Sequence, residues 1–357
     1  MARWKYRFGI PLAGAAVALG AASLTPALTN AQTPLLQPMS ASQLVAAVIG
    51  AAPVQYSGQL QITSNILGSD ASLLSSVGQG VALPEGTSQI VVYRGSGPDL
   101  RLQMVDAQSE RDLYVTSTGA WLWNSSTSSS DHLTFSQPMS SASSAFAQST
   151  NPTEIADALV GRLAPTSRLV VGANTYVAGH AAYTLTLTPR QSGSSISSIR
   201  VFIDAKNYHV LNVSVYSVDS SAPVLAMGYQ SISFTDPSSA NFSFTPPVGA
   251  SVKTVTQSQL QSMFDLMNAG SLSKPTVLGS GWQSVVEMPK GTFTQMTKSI
   301  GSKTLAELET PVTLANGGTA NLIHTELVNL LVLPNGSTLV GAVEPAVLET
   351  DANALGL

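Results

Sequence analysis

Four histidines, His132, His180, His209 and His324, are the side chains here best suited to moving protons or holding a metal. A zinc site needs His, Cys or carboxylate ligands at short, recurring spacings. None of the four stands at such a spacing to another histidine or to a pair of carboxylates, so no metal and no cofactor is expected. His180 and His209 fall in turns beside apolar strands and are expected at the surface. Ser271-Leu272-Ser273-Lys274 satisfies the S-x-x-K pattern of a serine nucleophile with a lysine base, but its S-D-N and K-T-G companions are missing. In a chain this rich in serine a chance match is expected. Asp131 and His132 could be drawn with a distant serine as a triad, yet nothing in the spacing supports that geometry. There is no G-x-S-x-G elbow, no phosphate loop and no G-x-G-x-x-G. The chain is expected not to be an enzyme.

What the polar residues do not supply, the apolar pattern does. Residues 176–216 alternate with period two: Tyr183, Leu185 and Leu187 on one side, then Ile199, Val201 and Ile203, then Leu211, Val213 and Val215. Thr184, Thr186 and Thr188, and later Asn212, Ser214 and Tyr216, oppose them. Turn-type breaks between such runs predict an antiparallel meander with one apolar face and one hydroxyl-rich face. An open sheet must cover its apolar face with something, and what covers it is the functional question.

Composition narrows the answer. The 357 residues are 44% apolar and only 10% charged, with a formal net charge of −4, which leaves no basic footprint for nucleic acid. Cysteine is absent, which excludes disulfides, thiol catalysis and a lipid-modified N-terminal Cys. Arg3, Lys5 and Arg7 precede a small-and-apolar run over residues 9–24, with cleavage expected after Ala31 or Ala27. Residues 1–31 therefore read as a secretory signal peptide. An uncleaved anchor is the rival reading, although the run is short for a span and carries Pro11. The protein is expected in the periplasm or outside the cell, soluble after cleavage or retained by that segment.

In chain order, residues 40–50 predict a helix capped by Ser40 with Gln43 completing the box, burying Leu44, Ala47 and Val48. A strand follows at 56–63, with Leu60 and Ile62 on one side. Residues 64–86 form an apolar-studded excursion, read as a lid. Short strands at 89–94, 100–105, 112–116 and 121–124 offer Ile90, Val92, Leu102, Met104, Leu113, Val115, Trp121 and Trp123 as inward residues. Residues 125–130 read as a serine-rich turn, with one more short strand at 133–135. Asn151-Pro152-Thr153-Glu154 opens a second helix carrying Ile155, Leu159 and Leu163. Strands at 168–172 and 224–234 flank the meander. Thr256 with Gln259 starts another helix, and a smaller unit follows, with an Asn335-Gly336 hairpin and a terminal segment at 344–350.

These residues resemble the LolA-like lipoprotein carriers and the MucB/RseB stress regulators. The resemblance lies in Tyr56-Ser57-Gly58-Gln59-Leu60, in Val177 to Pro189, in Val201-Phe202-Ile203-Asp204, and in Phe242-Ser243-Phe244 followed by Pro246-Pro247-Val248-Gly249. Gly281-Trp282, Pro289 to Phe293 and Val340 to Pro345 are similar to the small domain of MucB/RseB. The resemblance implies an α+β protein: a half-open antiparallel β-barrel over residues 40–250 with helices on its concave face, plus a small C-terminal α+β domain over 256–357. It implies an exported carrier for acyl chains of lipids or lipoproteins, or alternatively a regulator that grips a membrane-bound anti-sigma factor and senses lipid. The cavity would be lined by Leu60, Ile62, Ile90, Val92, Leu102, Met104, Leu113, Val115, Trp121, Trp123, Ile155, Leu159, Tyr183, Leu185, Leu187, Val201, Ile203, Val213 and Val215. The two indoles read first as filling of a β core, with one indole at the cavity mouth as the alternative.

Overall fold

The computed structural model describes residues 33–67, 86–105, 109–135, 160–256, 259, 276–297 and 302–355. The expected signal segment, most of the 64–86 excursion, Ile155 and Leu159, most of the helix expected after Thr256, and Ser271 to Lys274 lie outside these residues.

The protein is mixed α+β and mostly strand. Its main body is a large open sheet of thirteen strands in the order β13-β6-β5-β4-β3-β2-β1-β12-β11-β10-β9-β7, with β8 paired to β9. The strands are β1 Tyr56–Ser64, β2 Gly86–Arg94, β3 Leu100–Val105, β4 Glu110–Val115, β5 Gly119–Asn124 and β6 Ser129–Thr134. They continue with β7 Ser167–Val171, β8 Thr175–Val177, β9 His180–Pro189, β10 Ile196–Asp204, β11 Val210–Ser217, β12 Pro223–Ser233 and β13 Ser251–Thr256. Every neighbouring pair is antiparallel except one: β13 returns from β12 to run parallel to β6. β6 begins at Ser129, inside the stretch expected to be a serine-rich turn. It runs on into the short strand expected at 133–135, and its polar first half is marked as strand only by pairing with β5.

Helix α1, Ala41–Ile49, lies where its capping signals place it. The Ser40 hydroxyl accepts from the Gln43 N–H at 3.2 Å, and the Gln43 side chain accepts from the Ser40 N–H at 2.8 Å. Leu44 and Val48, four apart and so on one stripe, are buried against the β7–β12 half of the sheet.

A second, six-stranded antiparallel sheet takes the order β14-β15-β19-β18-β17-β16, where β14 is Thr276–Leu278, β15 Val285–Met288, β16 Glu309–Thr313, β17 Thr319–Ile323, β18 Asn329–Val332 and β19 Thr338–Gly341. Helices α2 Thr292–Met296, α3 Ser302–Leu308 and α4 Pro345–Ala354 accompany it, and Leu348 and Ala352 of α4 complete its core. The turn at Asn335-Gly336 joins β18 to β19, with Gly336 at φ +88° as such a turn requires.

This second sheet docks on the β9–β10 loop through the main chain. Ser194 bridges to Val343, the Ser195 N–H donates to Ala342 O at 3.1 Å, and the Glu344 N–H donates to Gly193 O at 2.8 Å. Asn329, fully buried, donates to Ser195 Oγ and to Val343 O at 3.2 and 2.7 Å. Trp282 enters the core of the large sheet, where its Nε1–H donates to Ser167 Oγ at 2.8 Å.

Candidate functional site

Cross-strand partners in a sheet point to the same face, so the register fixes which side chains share a surface. One row runs Leu169, Leu187, Ile199, Val215, Leu225 from β7 to β12. Another runs Val171, Leu185, Val201, Val213, Met227, Ile62 from β7 to β1. Tyr183 pairs with Ile203 and stands on the same side. Past a bulge opposite Gln59 and Leu60, Tyr229 continues through Leu60, Ile90 and Met104. Gly58 leads to Val92, Leu102, Leu113 and Leu122, and Leu100 leads to Val115, Ala120 and Leu133. The result is one largely apolar face that extends from β7 to β6, with Arg94 set in the Leu100 row between Tyr56 and Leu100.

Leu60, Ile62, Ile90, Val92, Leu102, Met104, Leu113, Val115, Tyr183, Leu185, Leu187, Val201, Ile203, Val213 and Val215 all stand on that face. They form two clusters. On the β7–β12 side, Leu185, Leu187, Ile199 and Ile203 are buried beneath α1, the turn of helix at Val160 and Leu163, Ile66, Trp282 and Leu327. The Tyr183 hydroxyl there donates to Gln37 O at 2.9 Å, and burial pushes its phenol up. On the β1–β6 side, Leu60, Val92, Leu100 and Val115 are buried, Met104 and Leu113 are half-buried, and Leu122 is 49% exposed. At the same margin the rows turn polar, ending in Arg111, Asn124 and Asp131.

Trp121 and Trp123 do not belong to this face. Trp121 pairs with Tyr114 and Trp123 with Asp112, so both indoles point away from Leu113 and Val115. On that reverse face Trp121 stacks on His132 at 3.8 Å, and Arg101 pairs with Asp112 at 3.1 Å. The Tyr114 hydroxyl also donates to Asp112, and its phenol is pushed well above its ordinary value, chiefly by burial. Burial likewise raises the Asp112 carboxyl, against the pull of Arg101.

Of the two histidines expected at the surface, His209 is inside and His180 is half-buried. His209 is 5% exposed and lies among Tyr56, Tyr229 and Phe234, with ring centroids at 4.7, 5.8 and 5.6 Å. Burial lowers its pKa to about 4, with Asp204 pulling the other way, so the ring is neutral at ordinary pH. The Tyr229 phenol is raised well above its ordinary value by burial, helped by Tyr56. His180 is partly buried against Asp204. This aromatic knot joins the two clusters at the centre of the sheet, and the spacing within β9–β11 could not reveal it, because Tyr56, Tyr229 and Phe234 come from distant strands.

Among the described residues no group of three or more His, Asp or Glu could hold a metal, and no helix is long and apolar enough to cross a membrane. An open depression of about 400 Å³ lies beside the site, at the end of α1, between Ala47, Gly50, Ala51, Lys206 and Tyr208.

The class defined so far is an open-sheet α+β protein with one extended apolar face. No protein-family model matches the chain, and no curated protein matches it. Among solved structures it is similar to the MucA/MucB complex of Pseudomonas aeruginosa, at 12% identity, covering 87% of this chain and 96% of that one, with a TM-score of 0.44. It is also similar to a LolA superfamily protein from Nitrosomonas europaea, at 11% identity over 58% of this chain and 99% of that one, with a TM-score of 0.22. The Mycobacterium tuberculosis lipoprotein LppX is a third, at 12% identity over 53% and 94% of the two chains, with a TM-score of 0.29.

Proposed function

We propose that this chain is an exported, non-catalytic carrier that takes acyl chains of lipids or lipoproteins against the apolar face of its large sheet. In this reading the sheet is a half-open barrel, its concave side is the apolar face, and the helices are covers. The observation that carries it is the extent of that face from β7 to β6, together with its uneven cover. The β7–β12 half has its filling from α1, Trp282 and Leu327, while Met104, Leu113 and Leu122 remain partly open at the other margin. The deep residues hold the fold, and the margin admits the ligand. A chain of about 14–16 methylenes at roughly 0.8 kcal/mol each gives on the order of 10 kcal/mol gross. After association costs that suffices for reversible uptake with no catalytic group.

The test is native mass spectrometry of protein purified from a membrane-containing host, followed by titration with a fluorescent fatty acid. Lipid should co-purify, and Leu113→Arg should weaken fatty-acid binding at least ten-fold with the fold retained. Protein that is lipid-free and ignores the fatty acid sinks the proposal.

The docking of the second sheet favours one alternative: a regulator that senses lipid in the same hollow and grips the extracytoplasmic part of a membrane-bound anti-sigma factor. Two sheets joined along the β9–β10 loop offer a protein partner more surface than a carrier needs. Pull-down with that segment, with and without fatty acid, separates the two readings.

A further inference from the structure

The reverse face of β4–β6 carries an arrangement that acyl-chain binding does not use. Residues 243–250 lead from a short helical turn to β13 and pass over this face. Phe242, 7% exposed, roots the segment against Gly95, where an added Cβ would come within 2.8 Å of its ring. Two residues on, the Phe244 ring stacks on Tyr114 at 5.0 Å and meets Trp121 and Trp123 at 5.5 and 6.0 Å. β13 then pairs in parallel with β6, from Ser251 opposite Ser129 to Thr256 opposite Thr134.

This strap is weakly held for its length. Every β13 side chain except Val255 is exposed, so burial contributes little and main-chain hydrogen bonds do the holding. Such bonds are worth only about 0.5–1.5 kcal/mol net each, and parallel ladders are slightly the weaker kind. The site beneath also suits its occupant imperfectly. Asp112 and Ser130 are 3% and 1% exposed, and Asp112 Oδ1 and Ser130 Oγ have no hydrogen-bond partner among the described residues. A phenyl ring offers them no donor.

We propose that residues 243–256 are an internal stand-in for a peptide partner. The Tyr114–Trp121–Trp123 cradle and the β6 edge together form a site for an extended peptide that has an aromatic anchor ahead of a strand segment, as Phe244 stands ahead of Ser251. Strand addition supplies affinity through the main chain, and the cradle supplies selectivity. The preferred anchor is Tyr or Trp, whose polar hydrogen can serve the buried oxygens. This surface lies on the opposite side of the sheet from the acyl site and stands or falls without it.

The test uses the full chain and a labelled synthetic peptide with the sequence of residues 241–256, read by fluorescence anisotropy. Phe244→Ala frees the cradle and should raise affinity for the peptide at least ten-fold over the unmodified chain. A peptide with Tyr at the anchor should bind tighter still, and one with Ala there should not bind. Asp131 and Lys253 are exposed register partners on the other side of the β6–β13 pair. In this cysteine-free chain Asp131→Cys with Lys253→Cys should form a single disulfide that blocks peptide binding until it is reduced. A folded Phe244→Ala chain that ignores the peptide overturns the proposal, as does a locked chain that binds as well as the open one. Should Phe244→Ala fail to fold, amide exchange on the unmodified chain decides. The β13 amides should exchange at least ten-fold faster than those of β3 and β4, and equal protection overturns the idea.

Discussion

His180 lies against Asp204 with one ring nitrogen and against the Ile232 carbonyl with the other: Nδ1 is 3.3 Å from Asp204 Oδ2, and Nε2 is 3.2 Å from Ile232 O. Asp204 Oδ1 meanwhile accepts from the N–H groups of Lys206 and Asn207 at 2.8 and 3.0 Å. One buried carboxylate thus organises the β10–β11 turn and ties it to the start of β9 and the end of β12. Asp204→Ala strips two turn amides and a ring nitrogen of their acceptor, at an expected cost of about 1–3 kcal/mol in urea unfolding. Asp204→Asn keeps an oxygen for the turn and should lose clearly less. An alanine variant as stable as the parent would remove this role.

The neutral, buried His209 makes stability depend on pH in one direction. Above its unfolded value of about 6.5 the ring is uncharged in both states, and its contribution is complete. As pH falls from there to about 4, the unfolded chain takes up a proton that the fold refuses, and stability drops. The slope from this residue is at most about 1.4 kcal/mol per pH unit. His209→Phe deletes the titration and should flatten the profile relative to the parent between those limits. Parallel profiles for the two proteins would show that the ring does not titrate in this way.

Gly58 sits where β12 bulges against β1. A Cβ there would come 2.7 Å from Ser231 O and 3.0 Å from the Tyr229 ring. Neither the carbonyl nor a 3% exposed tyrosine can withdraw without disturbing the central strands. Gly58→Ala is therefore expected to cost about 1–3 kcal/mol, seen as a lower thermal midpoint, whereas Gly97→Ala, with open space around it, should show only the strain of its positive φ.

Trp282 couples the second sheet to the first by filling the core and donating to Ser167. Trp282→Phe keeps most of the volume and loses the hydrogen bond, for about 1 kcal/mol. Trp282→Ala should cost about 3–5 kcal/mol and let the second sheet melt ahead of the first in a calorimetric scan. A single transition with an unchanged midpoint would show that the docking does not depend on this side chain.

Much of this was legible in advance, and the failures have physical causes. Period-two alternation assigns faces directly, so Tyr183, Leu185, Leu187 and their neighbours on β10 and β11 lie together as the pattern requires. Ser40 and Gln43 locate α1 because the cap is a local hydrogen-bond exchange. Alternation within β5 does not tell one sheet face from the other for Trp121 and Trp123, and the pairing of β4 with β5 turns them to a face with its own apolar cover, Phe244. His209 misled because a turn position suggests water. β6 and β13 left no trace as partners: their side chains are polar, and their pairing joins segments far apart in the chain.

The main-chain seam at the β9–β10 loop sets an order of assembly. Ser194 and Ala342, which meet there, are separated by 148 residues. At about 5–20 residues per second, the loop waits roughly 7–30 s after its synthesis for the strand that will meet it. Until then its amides and carbonyls face solvent, and a ribosome stalled between Thr256 and Ala342 would leave the large sheet synthesised and its receiving loop bare.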